Sequence, residues 1–149
     1  MTDKTRRVMP LFAYGTLMFP AIIESVIGRI PHCRPAVIEG YRRLEVAGES
    51  FPGLIKENDH KVEGLLYLEI SEDEWERLTA FEDDFYELVE VTVLCSGADM
   101  LALAYVVPPS RKSVLSEKAW NPEFFCTNQL LHFSVPQPAV DRQEEEEDR

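Results

Sequence analysis

Apolar and polar positions alternate along much of the chain in short runs, and each run stops at a glycine, a proline or a capping residue. Residues 8–14, VMPLFAY, read as a mostly apolar strand whose Pro10 is tolerated near the strand start or at an edge. PAIIESVIG follows as a short helix, with Pro20 at its first position, Ile22, Ile23, Val26 and Ile27 on one side and Gly28 as terminator. AVIEGYRRLEVAG and FPGLIKE read as two strands divided around Gly48. In KVEGLLYLEI the residues Val62, Leu66, Leu68 and Ile70 fall at alternate positions, which predicts a strand with one buried face.

Ser71 with Glu74 three residues on is a capping box, and it starts the helix EDEWERLTAFE. FYELVEVTVL alternates Val89, Val91 and Val93 against Glu90 and Thr92, and MLALAYVV is apolar throughout, so two further strands follow, the second central. Asn121 and Pro122 begin a last helix around EFFCTNQLLHF. About six strands and three short helices, in an order too irregular for repeated βαβ units, predict an α+β fold with a curved or barrel-like mixed sheet.

Two segments carry candidate chemistry. The first strand ends in Tyr14-Gly15-Thr16-Leu17, and such a turn exposes successive backbone N–H groups, because the helix that follows cannot yet accept them. A loop of that kind can hold a carboxylate or an oxyanion. A plainer reading of the same residues is a tight turn with Tyr14 packed in the core. The second segment is WERLTAFEDDFYELVEV, where Glu82 lies four residues after Leu78 and seven after Trp75 and so shares their inward stripe if the helix runs to its end. A carboxylate in apolar surroundings has its neutral form favoured and its pKa raised, which suits a base working near neutral pH. The alternative is a helix-end glutamate satisfied by backbone N–H groups. Glu72, Asp73, Glu76 and Asp83 fall on solvated faces.

Composition narrows the function classes. The 149 residues are 45% hydrophobic and 10% aromatic, enough for one ordinary core. A formal charge of −12 opposes binding to nucleic acid or to an anionic membrane. DRQEEEEDR closes the sequence, so residues 1–138 are expected to form a single domain and 139–149 a disordered acidic tail. Cys33, Cys95 and Cys126 are widely spaced and odd in number, and no secretory leader or membrane-length apolar run is seen, which together suggest a cytoplasmic protein. His32, His60 and His132 are scattered and form no metal-ligand cluster. Nothing in the sequence sets an oligomeric state.

Taken together, FAYGTLM near the N-terminus, FPGLI at 51–55, VEGLLYLEI, and LTAFEDDFY from Leu78 to Tyr86 resemble the gamma-glutamylcyclotransferase-like superfamily, in particular its gamma-glutamylamine cyclotransferase and AIG2-like branch. The resemblance covers roughly residues 10–125 and rests on a Y-G-T-L element followed about 65 residues later by a helix-end F-E-x-x-x-Y. It implies a small fold with a barrel-like sheet, and a cavity where the end of the first strand meets the helix that carries the glutamate. It further implies that Tyr14, Gly15, Thr16 and Leu17 hold a glutamyl group and that Glu82 is the acid/base, with Tyr86 bordering the pocket. The implied reaction converts a small gamma-glutamyl amine, peptide or amino acid to 5-oxoproline and a free amine, with neither metal nor organic cofactor.

Three positions depart from the pattern L-D-x-F-E-G-x-x-Y-x-R that the family commonly shows: Thr79 replaces the aspartate, Asp83 the glycine and Leu88 the arginine. An apolar side chain cannot make the forked hydrogen bonds of a guanidinium, so a module that keeps the cavity and binds a small ligand or a protein without reaction is the alternative function. A hydrolase built on Cys95 or Cys126 is a third, set against the ordinary role of buried cysteines as inert packing.

Overall fold

The computed structural model describes residues 9–128. The acidic segment 139–149, the first strand's expected start at residue 8 and the expected continuation of the last helix past residue 128 lie outside them. The elements run β1 (Leu11–Ala13), α1 (Pro20–Ile27), β2 (Cys33–Val46), β3 (Pro52–Tyr67), α2 (Glu72–Phe81), β4 (Glu87–Cys95), β5 (Ala98–Val106), β6 (Leu115–Ala119) and α3 (Pro122–Asn128), with 3-10 turns at Thr16–Met18 and Pro109–Val114.

Five strands close on themselves. The order β3-β1-β5-β4-β2 returns to β3 through a long antiparallel β2–β3 pairing, and β6 is added outside the ring against β2. All pairings are antiparallel except β1 with β5, where Leu11 stands beside Leu103. The expected α+β class with a barrel-like mixed sheet is therefore the architecture found.

Alternation along the strands sorts the core into an inside and an outside. Phe12, Ile38, Leu54, Leu66, Val93 and Ala104, drawn from all five ring strands, belong to one buried cluster that fills the barrel. Leu11, Ala13, Leu103 and Tyr105, the chain neighbours of Phe12 and Ala104, join Ile22, Ile23, Trp75, Leu78 and Phe125 in a second cluster under the helices. One face of each ring strand thus packs inward, the outer faces of β1, β5 and the end of β3 are covered by the helices, and the outer face of β4 carries the exposed Glu90, Thr92 and Leu94, the period-2 logic that the apolar runs predict.

Helix boundaries follow the capping chemistry. Pro20 opens α1, and Gly28 ends it in the left-handed region at φ 89°, with its N–H on Glu24 O. At α2 the Ser71 hydroxyl accepts from Glu74 N at 3.2 Å and Glu74 Oε1 accepts from Ser71 N at 2.9 Å, completing the box. Glu74 also grips Arg29 from α1's exit in a forked pair at 2.5 and 2.9 Å, and this ion pair holds the Glu74 carboxyl below its usual range.

Several boundaries differ from the sequence expectation. FPGLIKE and KVEGLLYLEI are one strand, because residues 57–60 loop out opposite Gly40 as a wide irregularity between the pairs Tyr41–Lys56 and Glu39–Lys61. Such an insertion bends the ribbon sharply and lets it wrap into a closed ring. The strand stops at Tyr67, three residues short of Ile70, where Glu69 turns to φ 58°. β6 is an added strand: LSEKA is short, partly exposed and carries no clear alternation. Glu82 is not helical but caps α2 with extended backbone, its N–H on Leu78 O at 3.1 Å.

Candidate active site

A cavity of about 340 Å³ opens where the end of β1 meets the end of α2. Its wall includes Tyr14, Gly15, Thr16 and Leu17 from the loop, Glu82 and Tyr86 from the segment after α2, and the β2–β3 turn around Ser50 and Pro52. The six residues singled out in the sequence, about 65 positions apart in two groups, line the same space.

The loop is shaped by what surrounds it. Its first hydrogen bonds are donated by Met18 to Gly15 O at 3.0 Å and by Phe19 to Thr16 O at 3.1 Å, so the N–H groups of Thr16 and Leu17 precede any carbonyl the turn offers them. Gly15 has φ −128°, so left-handed geometry is not the reason for glycine here. A Cβ at that position would lie 2.8 Å from Pro52 Cγ, and the close approach of the β2–β3 turn is what requires it. The loop's carbonyls are held from behind: Arg43 Nη1 donates to Tyr14 O at 2.9 Å and Tyr67 Oη donates to Leu17 O at 2.7 Å. The Arg43 guanidinium also lies 5.4 Å from the centroid of Trp120, which in turn donates to Ser50 O at 2.8 Å and anchors the opposite wall.

Three tyrosines surround the glutamate, yet none is hydrogen-bonded to it. Tyr14 Oη donates to Tyr105 O at 2.6 Å, Tyr86 Oη donates to Pro52 O at 2.6 Å, and Tyr105 Oη shares a 2.9 Å hydrogen bond with Thr79 Oγ1. Burial, and after it neighbouring charges that include the Glu82 carboxylate, pushes the Tyr14 and Tyr86 phenols well above the ordinary range. Tyr105 is also raised, by burial first, with Glu82 contributing. These hydroxyls stay protonated, Tyr14 and Tyr86 direct their hydrogens to carbonyls, and no hydrogen bond joins the Glu82 carboxylate to a side chain among the described residues.

Glu82 consequently has a pKa pushed up to about 8, first by burial and then by the nearby Asp83 charge. The exposure it keeps lies along the cavity it lines, so it is enclosed by protein yet open to an entering ligand. An unbonded carboxyl of this kind can take a proton from an amine placed against it and later release it.

Sequence reasoning did not anticipate Tyr105, which it placed in a uniformly apolar strand, nor the wall at 49–52. The only sequence sign of Tyr105 is its parity with Leu103, which puts both on the helix-covered face of β5. Leu88 faces Tyr105 across the β4–β5 ladder and packs against the helix-side core. It is not among the residues that line the cavity. Of the three cysteines, Cys95 is buried within the barrel, Cys33 is half-buried and Cys126 is exposed, and none lines the cavity. Among the described residues no helix is long and apolar enough to cross a membrane.

Comparison with known proteins yields a consistent set. Residues 11–122 match the family model described as gamma-glutamyl cyclotransferase, AIG2-like. The AIG2-like protein D of Arabidopsis thaliana is 33% identical over 88 residues, which cover 59% of this chain and 58% of that protein. The match thus spans a little over half the length of that relative. Among solved structures, one of an Arabidopsis thaliana protein superposes with a TM-score of 0.65 at 24% identity, covering 81% of this chain and 82% of that one. A yeast gamma-glutamyl cyclotransferase described as specific to glutathione superposes with a TM-score of 0.58 at 16% identity, covering 74% and 73%. At those identities the superpositions establish a shared fold.

Proposed function

Because the chain belongs to the gamma-glutamyl cyclotransferase, AIG2-like family, we propose that its cavity closes small gamma-glutamyl compounds to 5-oxoproline and releases the amine they carried. The observation that carries this reading is that the Tyr14–Leu17 loop and the unbonded Glu82 carboxyl line one cavity.

The substrate holds its own nucleophile. Its α-nitrogen attacks its γ-carbonyl carbon, a five-membered C–N bond forms, and the bond from that carbon to the departing nitrogen breaks. Two protons leave the α-ammonium and two reach the departing nitrogen, so a carboxylate that ferries them is returned unchanged. Glu82 is assigned that role. The N–H groups of the loop are assigned to the glutamyl carboxylate or to the oxyanion that develops on the γ-carbonyl oxygen. Since nucleophile and electrophile share one molecule, folding the glutamyl chain back against the loop supplies much of the barrier reduction, about 7–11 kcal/mol where alignment is good.

The pH profile tests the assignment. Only the ionised form of Glu82 can accept a proton, so kcat/KM for a gamma-glutamyl amide is expected to rise with pH and to level off above an apparent pKa near 8 in the free protein. A profile flat from pH 6 to 9 would remove Glu82 from the mechanism. A binding module without reaction predicts instead that a gamma-glutamyl compound raises Tm and is recovered intact.

A further inference from the structure

The cavity's charge is one-sided. Glu49, on the turn between β2 and β3, and Asp83, immediately after α2, stand exposed on its wall, which the half-buried Glu82 also lines. All three line the one cavity, and each adds to the rise of the Tyr86 phenol that burial dominates. No lysine, arginine or histidine lines the cavity among the described residues. The nearby Arg111 is 3.9 Å from Asp84 and is not part of the wall. Arg43 is held behind the loop by Tyr14 O, Glu63 O and the Trp120 ring.

The Glu82 carboxyl makes no hydrogen bond or ion pair with a described side chain, and among the described residues no cation on the wall balances Glu49 and Asp83. A bound gamma-glutamyl group is itself a zwitterion: its ammonium goes to Glu82, and its carboxylate needs N–H donors. Glu49 and Asp83 then remain on the cavity wall without a cationic partner from the bound glutamyl group.

We infer that Glu49 and Asp83 form a subsite for the departing amine that selects one bearing a second positive charge and rejects one bearing a carboxylate. The inference deepens the cyclotransferase reading and rests on it for the reaction, while the charge preference is a property of the cavity that binding alone reports. Asp83 stands where the family commonly has glycine, so half of this subsite comes from a position at which this chain departs from the pattern.

The experiment uses three gamma-L-glutamyl conjugates of matched length, made from 1,4-diaminobutane, butylamine and 4-aminobutanoic acid, which end in an ammonium, a methyl and a carboxylate. The expected order of kcat/KM is ammonium, methyl, carboxylate, with about tenfold between the first two at low salt, as two rim charges supply. The preference shrinks as salt is raised. Glu49→Gln with Asp83→Asn is expected to bring the ammonium-to-methyl ratio close to one, and Glu49→Lys with Asp83→Lys to place the carboxylate conjugate ahead of the ammonium conjugate. Using ratios cancels any change these substitutions make to the ionisation of Glu82, which is common to all three compounds. Equal turnover of the three conjugates, or preference for the carboxylate, overturns the subsite and leaves the cyclotransferase reading standing. Turnover of none ends that reading, and the subsite is then judged by the rise in Tm each conjugate produces: the same charge order supports it and equal shifts overturn it.

Discussion

Glu82→Gln is expected to lower turnover of a gamma-glutamyl amide by two to four orders of magnitude, about the contribution of a positioned acid/base, while making the folded protein more stable in alkaline solution. The second half follows from linkage. Glu82 ionises near 8 when folded against an ordinary value of 4.5. Between those limits the native state keeps a proton that the unfolded chain has lost, so its contribution to stability falls as pH rises and the deficit is complete above the folded pKa. At about 1.4 kcal/mol per unit the full deficit has an upper bound of about 5 kcal/mol. Solvent reaching the carboxylate through the cavity reduces it, and a net gain of about 2 kcal/mol for the glutamine variant corresponds to about 4–8 °C in Tm for a chain of this size. Thermal melts of both proteins from pH 4 to pH 9 would show curves that coincide in acid and separate in alkali. A variant that melts at the wild-type temperature at pH 9 would mean that Glu82 is solvated like any surface carboxylate. Lost activity with gained stability is the pattern of a group retained for chemistry at the expense of the fold.

The largest purely structural effect is expected at Gly64. A Cβ built there would lie 2.3 Å from Ala13 O and 2.9 Å from Phe12 Cζ. The first contact is with a backbone oxygen in the β1–β3 ladder, which cannot rotate aside as a side chain would. Gly64→Ala must therefore push β3 away from β1 at the point where the ring is closed. Overpacking of this kind costs about 3 kcal/mol at the upper end of its usual range, which corresponds to a fall of about 6–12 °C in Tm. β1, whose pairing with β3 is disturbed, ends one residue before Tyr14, so the same substitution is expected to weaken the stabilisation that a gamma-glutamyl ligand gives. A melt within 2 °C of wild type would contradict the close packing described here.

How much of this was legible in the sequence depends on the range of the interactions involved. The helices α1 and α2 are written locally, in Pro20, Gly28 and the Ser71–Glu74 box, and they begin and end within a residue or so of where those signals put them. Strand alternation likewise separates the barrel interior from the helix-covered face, since Phe12 and Ala13 already differ in the side to which they pack. What alternation cannot encode is the partner. The junction of 51–57 with 61–70 into one strand depends on residues 57–60 looping out against β2, a long-range fact. β6 exists because β2 offers it an edge, and its own residues show little preference for strand.

At the cavity the local signals were a Gly-containing strand end and an acid on an apolar stripe. The helix ends one residue before Glu82, so the stripe argument was geometrically incomplete. The cap residue still closes the last turn, with its N–H bonded to Leu78 O, and its side chain lines the cavity. Tyr105 and the wall at 49–52 left no comparable mark, because each reaches the cavity through barrel closure, and Tyr105 O receives the Tyr14 hydroxyl from 91 residues away.

The most direct test of the central claim is to incubate the protein with a gamma-glutamyl amide in water enriched in ¹⁸O and to follow where the glutamyl carbon goes. Ring closure by the tethered amine predicts 5-oxoproline and free amine in equal amounts, with no label in the lactam. Glutamate carrying ¹⁸O in its side-chain carboxylate would mean that water, not the substrate's own nitrogen, attacks in this cavity, and recovery of the compound unchanged would mean that the cavity binds without reacting.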